Sequence, residues 1–270
     1  MKQPAIPILM YHHVSPHPGL VTISPETFEA QMRYLSENQF YCMTPEEVEH
    51  YIDTGEPVPA KSVLLTFDDG YLDNYAYAYP ILKKYNLKAT LFGITAWFRD
   101  GPVRSIEEAQ SLTKDHVDCA YAIRDGLHDS VMIRWSELQK MISEGVFNLH
   151  SHTHTHTRFD KMPAPRAAQI AALDHDLALS TQTLKEKLNI DSAHLCWPQG
   201  HYDDEYIKAA KSAGFRMLYT TQKRPIVPGC DKSRLGRIVI KDKAGFWFAS
   251  RLWIYSKPTF SKIYTAIRGS

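Results

Sequence analysis

The sequence predicts a single α/β domain built around a parallel sheet. Its 270 residues are 44% apolar, which is enough to bury one large core. Short apolar runs alternate with longer amphipathic segments, and this alternation is typical of strand–helix–strand units. Polar and titratable residues occur where the predicted strands end, at the edge where parallel α/β proteins build their functional sites.

Each predicted element follows from its local pattern. Apolar runs predict strands, and amphipathic segments with caps predict the helices between them. Ser24 is the predicted N-cap of the first helix. Ser136 and Gln139 form a predicted capping box, and Gly145 ends the same helix. Gly214 ends the last of these helices. The predicted strands span residues 6–11, 63–67, 89–94, 146–149, 194–197 and 216–220, and the predicted helices span residues 25–38, 73–85, 137–144, 166–188 and 204–213.

The composition excludes some classes of function. Lys and Arg total 31 against 30 Asp and Glu, so the net charge gives no reason to expect nucleic acid as a partner. The four cysteines are scattered without a Cys-x-x-Cys pair, which predicts neither a disulfide framework nor a zinc knuckle. The N-terminus has no signal-peptide core and no apolar stretch reaches 18 residues, so we expect a cytoplasmic protein unless a leader was removed.

Two segments differ from this repeating pattern. Residues 99–134 interrupt it and are predicted to form an insertion, partly helical, that caps the site. Residues 243–270 contain five Lys or Arg, seven aromatic residues and no Asp or Glu. This composition is typical of a segment at a membrane interface, where it would allow peripheral association. The alternative is that these aromatic side chains complete the core or line a sugar groove.

The segment VLLTFDDG, residues 63–70, ends a predicted buried strand with two adjacent carboxylates and a glycine turn. Adjacent side chains of an extended chain point in opposite directions, so Asp68 and Asp69 diverge unless the turn redirects one of them. If they converge on a metal, one can bind it while the other remains free as a base. The alternative is a loop with two solvated carboxylates and a helix cap.

The segment NLHSHTHTHT, residues 148–157, places four histidines at alternate positions. On an extended strand His152 and His156, four residues apart, would be separated by roughly 13 Å. Two imidazole nitrogens that bind one zinc ion are at most about 4 Å apart. Either a neighbouring pair, two residues apart, binds a metal, or the chain leaves the strand here and turns.

Three motifs in order resemble the polysaccharide deacetylase family, also called the NodB-homology group or carbohydrate esterase family 4. They are TFDDGY at residues 66–71, the His-x-x-x-His unit of His152 and His156, and CWPQGHY at residues 196–202. The third is similar to the family's R-x-P-Y-G or A-Y-P-Y-G segment. The resemblance extends from about residue 6 to residue 240, and it implies a distorted (β/α)7 barrel, a single domain over residues 1–242.

The resemblance implies a divalent metal held by Asp69, His152 and His156, with Asp68 as the general base. Three protein ligands and an open position for water are the arrangement of catalytic metal sites. Two imidazoles and one carboxylate suit zinc first, while cobalt, nickel or iron(II) accept a similar geometry. Such a metal activates water and polarises an amide carbonyl, so the expected reaction releases acetate or a similar small acid from an N-acylated amino sugar.

The general acid is predicted near the N-terminus. The segment ILMYHHV, residues 8–14, is similar to the Tyr-His segment that opens the circularly permuted branch of the family, which includes poly-β-1,6-N-acetylglucosamine deacetylases. By this resemblance His12 protonates the leaving amine. The alternative is that His12 is only a polar residue at the end of a strand.

Two residues depart from the family pattern. Cys196 stands where the family has an Arg that steadies the base, and we expect a small buried residue there, with a thiol nucleophile as the alternative. Gln199 stands where the family has a Tyr whose backbone N–H contributes to the oxyanion hole, and that N–H survives the change. Arg237 is a candidate to steady Asp68 in place of the missing Arg, the alternative being an ordinary surface or sheet-end arginine. The residues predicted to contact substrate or to support the site are Tyr71, His150, His154 and Trp197.

The predicted substrate is a lipid-linked N-acetylhexosamine of the undecaprenyl-phosphate type, in envelope polysaccharide or lipopolysaccharide biosynthesis. The basic, aromatic segment 243–270 favours this substrate, because it suits the inner face of a membrane. One alternative is a polymer deacetylase resembling the β-1,6-glucosamine type. Another is a degenerate sugar-binding domain, which the changes at Cys196 and Gln199 permit.

Overall fold

The structure is a computed structural model that describes residues 4–268. Its strands are β1 (Ile8–Tyr11), β2 (His13–Val14), β3 (Thr22–Ile23), β4 (Tyr41–Cys42), β5 (Ser62–Asp69), β6 (Ala89–Gly93), β7 (Phe147–Ser151), β8 (His194–Cys196), β9 (Met217–Tyr219) and β10 (Ile238–Val239). Its α-helices are α1 (Pro25–Glu37), α2 (Pro45–Thr54), α3 (Tyr79–Lys84), α4 (Ile106–Leu112), α5 (His116–Arg124), α6 (Trp135–Ser143), α7 (Arg166–Leu188), α8 (Asp204–Ser212), α9 (Gly245–Tyr255) and α10 (Pro258–Arg268).

Seven strands form one parallel sheet in the order β10-β1-β5-β6-β7-β8-β9, and β4 pairs with β5 beside this path. Every pair in this sheet is parallel, and the sheet curls into a half-barrel. Strands β2 and β3 form a separate pair. The distorted (β/α)7 barrel expected from the sequence is confirmed.

Strand β5 lies at the centre of the sheet, and all eight of its residues are buried. Because side chains alternate along a strand, its residues supply two different cores. Leu65 and Phe67 pack in the larger core beneath the surrounding helices, whereas Leu64 packs with Phe92 and Tyr219 in the other. Burial on both faces explains why this strand is an unbroken apolar run up to its two carboxylates.

Several predicted boundaries need correction. Helix α2 and strands β2, β3, β4 and β10 were not among the predicted elements. The segment predicted as one helix, residues 73–85, instead forms a short π-helix, Asn74–Ala78, followed by α3. The N-cap of α1 is Ser24, as predicted, and its side chain accepts from the N–H of Thr27.

The predicted capping box of Ser136 and Gln139 is wrong. Helix α6 begins one residue before Ser136, and Glu137 accepts a 2.8 Å hydrogen bond from the N–H of the N-cap residue Arg134. The hydroxyl of Ser136 instead donates to the carbonyl of Gly101 at 2.7 Å. The carboxylate of Glu137 also binds the buried Arg104, so the side chain that caps α6 is fixed by a second contact that Gln139 does not make.

The insertion over residues 99–134 contains α4 and α5 and is tied to the barrel through Arg104. This arginine is fully buried, and Nε and one terminal nitrogen each donate to Glu137 at 2.7 Å. Its guanidinium also donates to the carbonyls of Asp129 and Met132. A buried pair with four of the five guanidinium N–H donors used holds the insertion in one position, and α5 of the insertion borders the cavity described below.

The C-terminal segment forms two helices, α9 and α10. Phe248, Leu252 and Tyr255 of α9 are buried in the larger core, whereas Phe246 and Trp253 are exposed. Some of its aromatic side chains therefore complete the fold, and others face solvent. No helix within residues 4–268 is long and apolar enough to cross a membrane.

Candidate active site

A tight turn at the end of β5 sends two adjacent carboxylates into one cavity. Asp69 has a φ of 73°, and the N–H of Gly70 donates across it to the carbonyl of Asp68 at 2.9 Å, as in a three-residue γ-turn. This left-handed backbone redirects Asp69, so that both carboxylates line the same cavity. Gly70 is required here, because a Cβ on it would lie 2.5 Å from the ring of Phe98.

Arg237 holds the carboxylate of Asp68 at both oxygens. The two terminal nitrogens of its guanidinium donate to Oδ1 at 2.6 Å and to Oδ2 at 2.7 Å, and both side chains are almost completely buried. Nε of Arg237 donates to the carbonyl of Thr220, which fixes the orientation of the guanidinium plane. Burial alone would raise the pKa of Asp68, but the charge and hydrogen bonds of Arg237 hold that pKa below its ordinary value. Asp68 is therefore kept as an ionised carboxylate.

Cys196 is a buried neighbour of this pair. Its sulfur lies 2.9 Å from a guanidinium nitrogen of Arg237 and 3.7 Å from Oδ2 of Asp68, and it has no exposed surface. Burial raises the pKa of the Cys196 thiol, so the thiol stays protonated. The geometry matches the expected small buried residue rather than a thiol nucleophile.

The histidine-rich segment leaves the strand, as the metal hypothesis requires. Strand β7 ends at Ser151, and the chain then turns irregularly, with φ of 68° at Thr153 and 61° at His156. The rings of His152 and His156 come within 5.0 Å of each other between centroids. The turn is not helical, yet it brings together two side chains that an extended strand would separate.

Asp176 on α7 holds this turn in place. Its carboxylate accepts from the N–H of His154 at 2.7 Å and from the N–H of Thr155 at 3.0 Å. The side chain of His154 points to Thr95, whose hydroxyl is 2.8 Å from Nδ1, and it is not among the residues that line the cavity. His154 therefore supports the turn and is not placed to contact substrate. Sequence reasoning missed Asp176, because its burial and its contacts with this turn become visible only in the folded chain.

Asp69, His152 and His156 fit one divalent metal ion. Oδ1 of Asp69 lies 3.3 Å from Nε2 of His152 and 3.7 Å from Nε2 of His156. Ligands at 2.0–2.2 Å in a tetrahedron are about 3.3 Å apart, so little movement is needed to bind an ion. Asp68 is not available in the same way, because Arg237 already occupies both of its oxygens.

The hydrogen bonds around His152 and Asp69 also favour a bound cation. Nδ1 of His152 lies 2.8 Å from the carbonyl of Cys196, and because a carbonyl only accepts, Nδ1 carries the proton. Nε2 of the neutral ring then presents a lone pair to Oδ1 of Asp69, a buried oxygen that has no hydrogen-bond partner within residues 4–268. In that state two lone pairs face each other, and either a second proton on Nε2 or a metal ion between the two atoms satisfies both.

Two of these three side chains already have the charge state that a metal requires, and the third would exchange a proton for the ion. Burial would raise the pKa of Asp69, but the hydrogen bond and charges of His152 and His156 hold it well below its ordinary value. Burial, with the neighbouring His152, lowers the pKa of His156 to about 4. The carboxylate is therefore ionised and the His156 ring neutral near pH 7, the forms in which these side chains bind metal ions. Burial would lower the pKa of His152, but Cys196, Asp69 and Asp68 raise it well above its ordinary value, so a metal ion would replace a proton on Nε2 of this ring.

The two N-terminal histidines have different surroundings. His12 faces the cavity, with Nε2 3.7 Å from Oδ2 of Asp68 and the side chain 18% exposed. Burial lowers the pKa of His12. His13 points away, and its Nδ1 lies 2.5 Å from Oδ2 of Asp73 while its ring stacks on Tyr71. Nδ1 of His116, on α5, lies 3.1 Å from Nε2 of His13, and His116 borders the cavity.

The predicted roles of Tyr71, Trp197 and Gln199 are compatible with their positions. All three line the cavity, whose volume is about 540 Å³. Trp197 is buried, and its indole N–H has no partner within the described part of the chain. Gln199 has a φ of 55° in the one-turn helix Pro198–Gly200, and its N–H is one of the first N–H groups of that helix, which have no carbonyl within the helix to bind. Sequence reasoning did not select Trp97 and His116, which line the cavity, or Asp73, which binds His13.

Comparisons with known proteins identify the family of this chain. The polysaccharide deacetylase family profile matches residues 55–218. YxkH of Bacillus subtilis, named as a polysaccharide deacetylase, is 30% identical over 221 residues, which cover 82% of this chain and 66% of that protein. The poly-β-1,6-N-acetyl-D-glucosamine N-deacetylase of Staphylococcus aureus is 27% identical, over 83% of this chain and 69% of that protein.

A solved structure shares the fold. The deacetylase PplD of Streptococcus pyogenes, solved with acetate, superposes with a TM-score of 0.74 at 24% identity, over 94% of this chain and 99% of that one. The chain belongs to the polysaccharide deacetylase family, and it spans about two thirds of the length of its curated relatives.

The buried Arg237–Asp68 pair makes a testable contribution to stability. Arg237→Met leaves an unpaired buried carboxylate, and we expect the free energy of unfolding to fall by about 3–5 kcal/mol at neutral pH. The double variant Arg237→Met/Asp68→Asn should be less destabilised than the sum of the single variants by about 2–3 kcal/mol. Urea denaturation of the four proteins measures both quantities.

The control is Arg124→Met, which removes the exposed arginine paired with Asp125. We expect no measurable loss of stability in this variant, since exposed pairs contribute little. Simple additivity of the Arg237 and Asp68 substitutions would show that the two side chains are not coupled.

Proposed function

We propose that this protein is a metal-dependent N-deacetylase that removes an acetyl group from an N-acetylated amino sugar. The observation that carries the proposal is that two adjacent carboxylates have different surroundings, which suit two different roles. Asp68 is ionised and held by Arg237, whereas Asp69 faces two imidazoles with an unpartnered oxygen. A base beside a metal-binding triad is the arrangement needed to hydrolyse an unactivated amide.

The residues would act in the following way. Asp69, His152 and His156 would hold a divalent ion, with zinc preferred for this donor set, and the ion would supply the means to activate a water and polarise the amide carbonyl. Asp68 accepts the proton of the attacking water as the new C–O bond forms. The backbone N–H of Gln199 stabilises the oxyanion.

The second half of the reaction needs an acid. We expect His12, whose Nε2 lies 3.7 Å from Oδ2 of Asp68, to protonate the nitrogen as the C–N bond breaks. Because burial lowers the pKa of His12, the ring would first take up the proton that Asp68 accepted from the water. The products are acetate and the free amine of the sugar. Trp197 also lines this cavity, and we expect its side chain to contact the sugar or its acetyl group.

The two carboxylates can be separated experimentally. Asp68→Asn should lower the rate of acetate release by about 10²–10⁴-fold and leave the zinc content unchanged, because it removes only the base. Asp69→Asn should lose activity together with one zinc ion per chain, since Asn tolerates the left-handed backbone but is a poor ligand. Acetate release from N-acetylated amino sugars and metal analysis of the same samples give both answers.

The matched control is His175→Gln, on the exposed surface of α7, which should retain full activity and zinc. Wild-type protein that releases no acetate from free, polymeric or lipid-linked N-acetylhexosamines would identify a sugar-binding domain instead. Equal activity of Asp68→Asn and wild type would also contradict the proposal.

We further propose that the substrate is a lipid-linked N-acetylhexosamine of the undecaprenyl-phosphate type, met at the inner face of a membrane. An exposed apolar surface on α9 and α10, formed by Phe246, Trp253 and Phe260, supports this proposal, because these side chains are 49–89% exposed. Trp253 and Phe260 lie 4.9 Å apart between ring centroids, and the ammonium of Lys257 lies 5.7 Å from the Trp253 ring. Aromatic rings flanked by cations suit an anionic bilayer surface.

A polymer is the second candidate, and the Staphylococcus aureus relative favours it. The name of that relative specifies poly-β-1,6-N-acetyl-D-glucosamine as its substrate. A cavity that is open to solvent can accept one residue of a chain as readily as a lipid-linked sugar. The two candidates differ in their dependence on the surface of α9 and α10.

The distinguishing variant is Trp253→Asp. We expect it to lose binding to vesicles that contain anionic lipid, by about tenfold or more, because a charge replaces a membrane-inserting ring. It should deacetylate a lipid-linked substrate in those vesicles more slowly but a soluble N-acetylhexosamine oligomer at the wild-type rate. Vesicle flotation and acetate release measure the two effects.

Leu127→Asp is the control, since Leu127 is an exposed apolar residue of the insertion, away from α9 and α10. It should float with vesicles as wild type does. Wild-type protein that never floats, and that prefers the β-1,6 polymer, would assign the polymer as substrate.

A further inference from the structure

A second group of histidines and a carboxylate lies outside the candidate active site. His150 lies on β7, two residues before His152, and His194 is the first residue of β8. Because Ser151 pairs with Leu195, His150 lies beside His194 on the same face of the sheet. Their rings are 4.5 Å apart between centroids. The proposed hydrolysis uses neither side chain.

Glu46 of α2 completes this group. Its Oε1 lies 3.3 Å from Nε2 of His150 and 3.7 Å from Nε2 of His194. The three atoms lie within 4.8 Å of one another. Tetrahedral zinc ligands are about 3.3 Å apart, so the group needs to contract only slightly to bind an ion.

The hydrogen bond on the far side of the His150 ring sets its tautomer. The hydroxyl of Ser192 donates to the carbonyl of His194 and is therefore an acceptor for Nδ1 of His150, 3.0 Å away. Nδ1 of His194 lies 3.3 Å from the hydroxyl of Tyr219. The neutral His150 ring thus carries its proton on Nδ1, as metal-binding histidines usually do when a second group orients them.

The buried nitrogen Nε2 of His150 is the atom that indicates a missing ligand in this group. The residue is only 5% exposed, and this nitrogen has no hydrogen-bond partner within residues 4–268. Although Glu46 is 3.3 Å away, a lone pair on Nε2 faces a lone pair of the carboxylate. Leaving a buried polar atom unpaired is costly, and a cation between the two would remove that cost.

The surrounding charges leave Glu46 available as a ligand. Glu49, one turn further along α2, is already paired with Arg216 at 3.0 Å and with Lys232 at 3.3 Å. Lys232 also pairs with Asp53. Glu46 is 59% exposed, so water can reach a fourth position on an ion held by the other three atoms.

We propose that Glu46, His150 and His194 bind a second divalent cation, of the class that zinc represents, which fastens α2 to β7 and β8. Two imidazoles and a carboxylate are a donor set typical of zinc. The ion is structural, because no cavity-lining residue belongs to the group. It therefore stabilises the protein whether or not the deacetylase site is occupied.

The test counts zinc in a protein whose first site is removed. In the full chain carrying Asp69→Asn and His156→Gln, equilibrated with zinc and freed of excess, we expect one zinc ion per chain. Adding His194→Gln should reduce this to none. Zinc should raise the melting temperature of the parent double variant, and Glu46→Gln should abolish that rise.

Glu46→Gln keeps the size of a half-exposed side chain, so it decides the question if His194→Gln fails to fold. His50→Gln is the control, because His50 is an exposed residue of the same helix that pairs with Glu56. It should keep both the zinc ion and the rise in melting temperature. A double variant without zinc, or one that keeps its zinc after Glu46→Gln, overturns the proposal, and neither result depends on deacetylase activity.

Discussion

The buried ion pair between Arg237 and Asp68 is the interaction on which the candidate active site depends. It joins the residue just before edge strand β10 to the end of central strand β5. Removing two charges from water costs several kcal/mol per ion, and only paired hydrogen bonds of this quality repay it. By occupying both oxygens of Asp68, Arg237 keeps that carboxylate ionised and leaves Asp69 as the carboxylate free to bind a metal.

The second constraint is backbone strain around the same cavity. Asp69, Thr153, His156 and Gln199 all have positive φ, between 55° and 73°. Such residues cost free energy and persist only where the surrounding structure holds them, which is typical of functional sites. Here Asp176 holds the histidine turn, while the strands beneath it stay regular. The regular strands thus support the turns that contain these residues, and each turn directs one functional group into the cavity.

The sequence predicted the parallel α/β fold, the turn between His152 and His156 that metal binding requires, and Arg237 as a partner for Asp68. These follow from local pattern, simple distances and ordered motifs. Asp73, Asp176 and His116 were missed, because their contacts join segments 22 to 103 residues apart, which a single sequence does not reveal. The error at α6 has the same origin, since Glu137 serves both the helix cap and the buried Arg104. Regular spacing also concealed that His150 and His152 belong to different groups.

The central claim is that one carboxylate binds the metal while its neighbour is reserved by Arg237. Anomalous diffraction at the zinc edge, from crystals of the zinc-loaded full chain, tests it most directly. We expect a peak about 2.0–2.2 Å from Oδ1 of Asp69 and from Nε2 of both His152 and His156, with Asp68 still bound to Arg237 at both oxygens. An ion bound to Asp68, or an Arg237 displaced from it, would contradict this account.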